Sequence, residues 1–319
     1  MDRRPLGRTG LAVSRVLLGC GSIGGIGSPA VTRGKGLTPE EGLAQIDAAV
    51  AMGINTLDTA NSYGGGVSEQ VVGQWLASHP HAEVLVATKV GNLVRPDQQR
   101  IDLSAAHIAA QVAASVDRLG RIDLYLSHAP DPETPIEATL EAFAAVLENG
   151  QARAIGGCNL SAAELEAALD VAAQHGLPGY HWVQNEYNLL TRNDEADLLR
   201  IVRERGLGYT PFSPLAGGVL AGRYRRGAAP PPDSRMAIIP AHLPDITEPM
   251  WDALDALTDA ARRRDVSVSA LALAWVLNAP DVTAPLVAPR RAEQFADIEQ
   301  ALQIELDEDE RAELVALFR

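Results

Sequence analysis

Eight short apolar, β-branched runs alternate with alanine-rich helical runs along the 319 residues. The runs are Val16–Cys20, Ile54–Asp58, Val84–Val90, Leu124–Ser127, Ala152–Gly157, Trp182–Asn185, Gly208–Phe212 and Val282–Val287. Helical patterns between them include Pro39–Met52, Val71–Ser78, Ala105–Leu119, Ile136–Glu148, Ala162–Gln174, Asp194–Glu204 and Ala270–Leu277. Thr38, Ser104, Ser161 and Ser269 stand where helix caps are needed, and Ser161 with Glu164 forms a capping box. Strands joined by helices pair in parallel, so eight repeats predict a (β/α)8 TIM barrel forming one domain over residues 1–319. A doubly wound sheet is the alternative. Against it, the run GCGSIGG (19–25) after the first strand does not open a helix in a βαβ setting and reads as a loop close to the active site.

The stretch DTANSYGGGVSE (58–69) sits between the second strand and its helix. Asp58 ends the strand, Tyr63 lies in the loop, and Gly64–Gly66 allow a tight turn. In a parallel barrel, chemistry is expected where strands end and helices begin.

A net charge of −14 and a pI near 4.9 argue against nucleic acid and anionic membranes as partners. The same acidity makes any basic pocket a local exception. Cys20 and Cys158 give no disulfide framework. The basic N-terminus is a poor signal peptide because Arg15 interrupts its apolar stretch, and no apolar run approaches the ~18 residues of a membrane span. Cytoplasmic location is the expectation, and the sequence leaves a homo-oligomer open.

The 58–69 stretch resembles the DTAxxYGxxxSE motif of the aldo-keto reductases, and the resemblance extends over nearly the whole chain. It implies a barrel whose bottom is plugged by a hairpin at residues 3–15, with two extra helices at Pro249–Arg263 and Asp307–Phe318. Many members continue into a long C-terminal loop after that helix, which is not expected here. The family's catalytic tetrad falls on Asp58, Tyr63, Lys89 and His128. Tyr63 is then a general acid whose pKa is lowered by the Lys89 ammonium, Asp58 pairs the buried lysine, and His128 orients the carbonyl. Each residue alone has a bland reading as a loop acid, a surface aromatic, an edge charge or a structural histidine. Four of them at consecutive strand ends rarely coincide.

The resemblance also implies a cradle for NADPH. Ser127, Asn159 and Gln184 belong to the nicotinamide end, with Cys158 replacing the family's usual serine. Phe212 stands where a tyrosine usually stacks, and Ser213, Leu215 and Gly217 match the segment that wraps the pyrophosphate. Arg290, Arg291, Glu293 and Gln294 match the adenosine end, although Val287-Ala288 replace the usual Pro-Gly and Ile298 an asparagine. Loops 21–35, 91–101, 129–134 and 225–244 should wall the pocket. No metal is expected. The implied function is reduction of an aldehyde or ketone, with the sugar-aldehyde reductases and the potassium-channel β-subunits as neighbouring branches. The second branch supplies a rival reading, a nicotinamide-binding redox sensor that turns over slowly.

Overall fold

The computed structural model describes residues 1–92, 100–240 and 245–318, so parts of the expected pocket walls at 91–101 and 225–244 lie outside the described residues. The chain opens with an antiparallel hairpin of β1 (Arg3–Pro5) and β2 (Ala12–Ser14). Eight parallel strands follow: β3 (Leu17–Gly19), β4 (Thr56–Asp58), β5 (Leu85–Val90), β6 (Leu124–Ser127), β7 (Ala154–Cys158), β8 (Trp182–Gln184), β9 (Gly208–Tyr209) and β10 (Leu286–Val287). Their order is β10-β3-β4-β5-β6-β7-β8-β9. Two backbone bonds close the ends, Thr283 N–H to Tyr209 O and Leu286 N–H to Pro211 O, both 2.8 Å. The sheet is a (β/α)8 barrel, as the repeat predicts.

The barrel helices are α1 (Pro39–Ala51), α2 (Val67–Ser78), α3 (Ala105–Leu119), α4 (Ile136–Glu148), α5 (Ala162–His175) and α6 (Leu198–Arg205). After β9 come α7 (Arg235–Ile238), α8 (Glu248–Arg263), α9 (Val268–Leu277), α10 (Ala292–Gln303) and α11 (Glu308–Ala316). α9 and α10 complete the eight helices of the repeat; α8 and α11 are the two expected extra helices, and the four-residue α7 is a further one. α9 carries apolar residues all round and is buried from Ala270 to Leu277, as such a helix must be. Trp275 on α9 donates its indole N–H to Arg311 O (3.2 Å), and the Arg311 guanidinium covers the indole ring. None of the described helices is long and apolar enough to cross a membrane.

Alternate strand residues point inward and fill the barrel with Leu17, Ala87, Leu124, Leu126, Ala154, Trp182, Ala284 and Leu286. Leu6, Leu11 and Val13 of the hairpin join this cluster, so the hairpin closes the bottom of the barrel. Asn55 fixes it there, accepting from Ser14 N–H (2.7 Å) and donating to Ala12 O (2.9 Å). Trp182 fits because its neighbour on β7 is Gly156, where a Cβ would lie 2.7 Å from the indole.

Local differences from the sequence reading have physical causes. Residue 194 was expected inside a helix, but Asn193–Glu195 form a 3-10 turn and α6 starts at Leu198. The Asp194 carboxylate accepts from Tyr209 OH (2.6 Å) and Asn185 Nδ2 (3.2 Å), which holds that turn down on the barrel. Ser267 rather than Ser269 caps α9, accepting from Ala270 N–H. The strand expected at 282–287 shortens to two residues, because Pro285 has no N–H to pair. α2 begins at Val67, so Ser68 and Glu69 lie in its first turn rather than in the loop before it.

Candidate active site

Asp58 is the last residue of β4, and the chain then crosses the barrel mouth to Tyr63. A 3-10 turn runs from Tyr63 to Gly66, with Gly64, Gly65 and Gly66 at φ of 58°, 71° and 100°. A Cβ on Gly64 would stand 2.9 Å from the backbone of Ile23 and Gly24, so only glycine fits beside the 19–25 loop. That loop does reach the site: a Cβ on Gly21 would lie 3.4 Å from the Tyr63 ring. The far end of the motif anchors it. Ser68 Oγ lies 2.8 Å from Thr59 Oγ1, and Glu69 Oε1 accepts from Thr88 Oγ1 at 2.5 Å. Thr59 follows Asp58 and Thr88 precedes Lys89, so one helical turn braces both strand ends.

Lys89 Nζ donates to Asp58 Oδ1, to Thr59 O (2.9 Å) and to Tyr63 OH (3.4 Å). The Tyr63 and His128 rings meet edge to face, 5.5 Å apart at 79°. Lys89 and Asp58 are almost fully enclosed, at 0% and 1% exposure. Burial opposes the Lys89 charge, but Asp58 and then Tyr63 outweigh it and hold the ammonium above its ordinary pKa. Burial raises the Tyr63 phenol, and Lys89 pulls the other way without cancelling it. The lowered tyrosine pKa expected from the sequence is therefore corrected: Lys89 acts in the expected sense, yet burial wins. Burial, with Lys89 nearby, keeps His128 well below the usual histidine range and so neutral. Its Nδ1 has no hydrogen-bond partner among the described residues.

The other strand ends line the same mouth, with one exception. Ser127 Oγ lies 3.2 Å from Tyr180 OH, on the outer face of the sheet, away from the tetrad. Asn159 has φ of 59° and donates through Nδ2 to His128 O (2.8 Å) and toward Cys158 Sγ (3.3 Å). Gln184 Nε2 donates to Asp58 Oδ2 at 2.9 Å. Burial pushes the Cys158 thiol up to about 12, so it stays protonated. Phe212 packs half-buried on the barrel interior. Beyond it Ser213 and Ala216 take φ of 53° and 46°, and Leu215 leads into a turn through Gly217 and Gly218. Non-glycine residues in that conformation mark a constrained segment.

A family model for the Aldo/keto reductase family matches residues 19–319. The chain belongs to this family. Versiconal hemiacetal acetate reductase of Aspergillus parasiticus is 32% identical, with 97% of this chain and 95% of that protein covered. The uncharacterized oxidoreductase YrpG of Bacillus subtilis is 33% identical, with 97% and 93% covered. A probable voltage-gated potassium channel subunit beta of Oryza sativa is 32% identical, with 95% and 92% covered. As an aldo-keto reductase, the protein belongs among the oxidoreductases, a family whose members use a nicotinamide cofactor.

Aldo-keto reductase cofactors carry phosphates, and this chain offers a basic site despite its acidity. Arg290 and Arg291 flank the start of α10, whose N-terminus has no side-chain cap. Gln294 Oε1 accepts from Arg290 N–H (2.6 Å), while Glu293 is exposed in the first turn. Two arginines that sequence reasoning missed complete the cluster. Arg223 follows the 216–221 turn and pairs with Asp233 at 2.6 Å, and Asp233 also reaches Arg291 at 3.8 Å. Arg235 on α7 adds its charge from the side of Tyr63 and Glu186. Burial, then Arg223, Arg235 and Arg291, lower the Arg290 pKa, with Asp233 opposing. Three like charges gathered around one carboxylate, with Arg235 acting on Arg290 as well, fit an anion. The signal for Arg223 was its place just after the glycine turn; Arg235 lies beyond a proline-rich loop, where spacing says nothing.

Proposed function

We propose that the protein reduces small or medium aldehydes or ketones to alcohols with NADPH, reversibly, using Asp58, Tyr63, Lys89 and His128. The observation that carries this reading is Lys89, which donates to both Asp58 and Tyr63 inside the barrel mouth. A nicotinamide held by these residues would supply a hydride to the carbonyl carbon. Tyr63 Oη–H gives its proton to the carbonyl oxygen, and the Lys89 ammonium stabilises the phenolate left behind. Asp58 keeps Lys89 charged in a site that would otherwise neutralise it. Neutral His128 offers a ring N–H to orient the carbonyl without adding a charge. Asn159 and Gln184 would hold the nicotinamide amide, and Phe212 would stack on its ring. Ser213, Leu215 and Gly217 would follow the pyrophosphate, with Glu293 and Gln294 beside the adenine. Arg223, Arg235, Arg290 and Arg291 would meet its phosphates.

A carbonyl panel with NADPH, followed by alcohol oxidation at alkaline pH, tests the reading. Turnover lost in Tyr63→Phe supports it. A native protein that retains its cofactor yet turns over no carbonyl favours the rival, a redox-sensing subunit, which the similarity to a potassium channel subunit beta keeps in view.

A further inference from the structure

Gln184 does more at this site than face a cofactor. It ends β8, is 2% exposed, and gives Nε2 to Asp58 Oδ2 at 2.9 Å. Asp58 thus spends one oxygen on Gln184 and the other on Lys89. Behind Gln184, Cys158 Sγ lies 3.9 Å from Oε1, and Asn159 Nδ2 lies 3.3 Å from Sγ. A chain of polar groups runs from Asn159 through Cys158, Gln184, Asp58 and Lys89 to Tyr63. It joins the residues expected at the nicotinamide amide to the residue expected to move the proton.

We propose that Gln184 is a positioning residue for proton transfer: by holding Asp58 Oδ2 it divides the carboxylate between two donors and leaves the Lys89 ammonium directed at Tyr63. The inference rests on the proposed carbonyl reduction. Without the amide donor, the whole carboxylate charge faces Lys89, whose third contact, the 3.4 Å one to Tyr63, is the longest of its set. Asp58 disfavours a Tyr63 phenolate while Lys89 favours it. Losing the Gln184 donor therefore shifts the balance against the phenolate. The other groups that face Tyr63 are His128, Cys158 and Arg235, while Cys20 is coupled to Asp58 and Lys89. Of these, Cys158 touches Gln184, through its thiol to Oε1 at 3.9 Å, and the rest are left as they are in a Gln184 variant.

The test is Gln184→Met, which keeps length and removes the donor, with Gln184→Asn as a second variant whose amide is too short to reach Asp58. For each, the pH dependence of kcat/KM is measured in reduction and in oxidation, beside cofactor affinity by fluorescence quenching. The expected result is that the limb assigned to Tyr63 moves up by about half a unit to one unit, a fraction of what a hydrogen bond to a charged group is worth. Weaker cofactor binding with an unmoved limb in a folded variant would overturn the proposal and leave Gln184 as a cofactor contact only. If Gln184→Met does not fold, the limb in Gln184→Asn decides by the same criterion. If the native protein reduces no carbonyl, the proposed function itself fails, a result read before any Gln184 variant is made.

Discussion

Glu69 accepts a 2.5 Å hydrogen bond from Thr88, the residue before Lys89, while its other oxygen takes Arg118 Nε at 2.6 Å. A carboxylate with 0% exposure is thus held between β5 and α3, on the outer side of the sheet from the tetrad. The arrangement explains why an acid stands at the end of the 58–69 motif although it cannot touch a substrate.

Glu69→Ala should lower stability by about 3 kcal/mol or more, because it leaves Arg118 without its buried partner. It should also lower kcat, since the strand end that aims Lys89 loses its brace. Glu69→Gln keeps an acceptor for Thr88 and should lose stability while retaining most turnover. Denaturant midpoints and rates on the same samples separate the two effects. Equal kcat in native protein and Glu69→Ala would show that Lys89 needs no such support.

Tyr63→Phe should cut turnover on the order of a hundredfold to ten-thousandfold, the usual contribution of a general acid. Cofactor affinity should stay close to native, because only a hydroxyl directed at the substrate is lost. Rate assays beside a fluorescence titration check both halves. A near-native rate removes Tyr63 from the chemistry.

Lys89→Met should be comparably damaging. The ammonium is the one group that lowers the Tyr63 pKa through both a charge and a hydrogen bond. Its loss also leaves Asp58 buried with Gln184 as its remaining side-chain donor among the described residues. Circular dichroism must first show a folded variant; substantial activity in that variant contradicts the electrostatic argument.

Most of the barrel was legible because each of its strands and helices satisfies a local rule. Apolar runs became strands within a few residues, and Thr38, Ser104 and Ser161 cap helices where they were expected to. Boundaries failed where a side-chain contact beyond the local segment overrode local pattern, as Asp194 does by accepting from Tyr209 on β9. At the site, residue types showed which groups meet at the mouth but not their balance. The raised Tyr63 pKa depends on how tightly the mouth is enclosed, and Arg235 depends on how a proline-rich loop folds back. Neither enclosure nor loop path has a period or spacing to read.

Stability should fall as pH drops below 6.5, and His128 should account for part of the fall. Its folded pKa lies well below the unfolded value of 6.5, mainly through burial and then through Lys89. Above 6.5 both states carry the neutral ring and the native state suffers no penalty. Between 6.5 and the folded pKa, the unfolded chain binds a proton that the native chain refuses. One such proton costs about 1.4 kcal/mol per pH unit. Thermal melts from pH 7.5 to 5 should therefore slope less steeply in His128→Gln than in the native protein. Parallel slopes would mean that the imidazole is solvated and titrates normally.

The arginines around Asp233 should make the protein prefer NADPH to NADH. Arg223 pairs with Asp233 at 2.6 Å and Arg291 approaches it at 3.8 Å, while Arg290 stands half-buried beside them. Only NADPH carries a 2′-phosphate, which guanidinium groups grip in a planar, two-pronged contact. The uncapped start of α10 adds backbone donors and a favourable dipole. NADH leaves these groups hydrated. A charge-assisted contact is worth about 1.5–3 kcal/mol, so one or two imply roughly tenfold to several-hundredfold preference for NADPH. Arg290→Ala and Arg291→Ala should each reduce that preference, chiefly by weakening NADPH. Asp233→Ala should increase it, because the phosphate then no longer competes with a carboxylate for Arg223 and Arg291. Catalytic efficiencies with both cofactors, measured at low and high salt, check the claim, since a contact between charges should weaken as ionic strength rises. Equal efficiencies in the native protein, or a ratio that none of the three variants changes, would make these arginines solvated surface in an acidic protein.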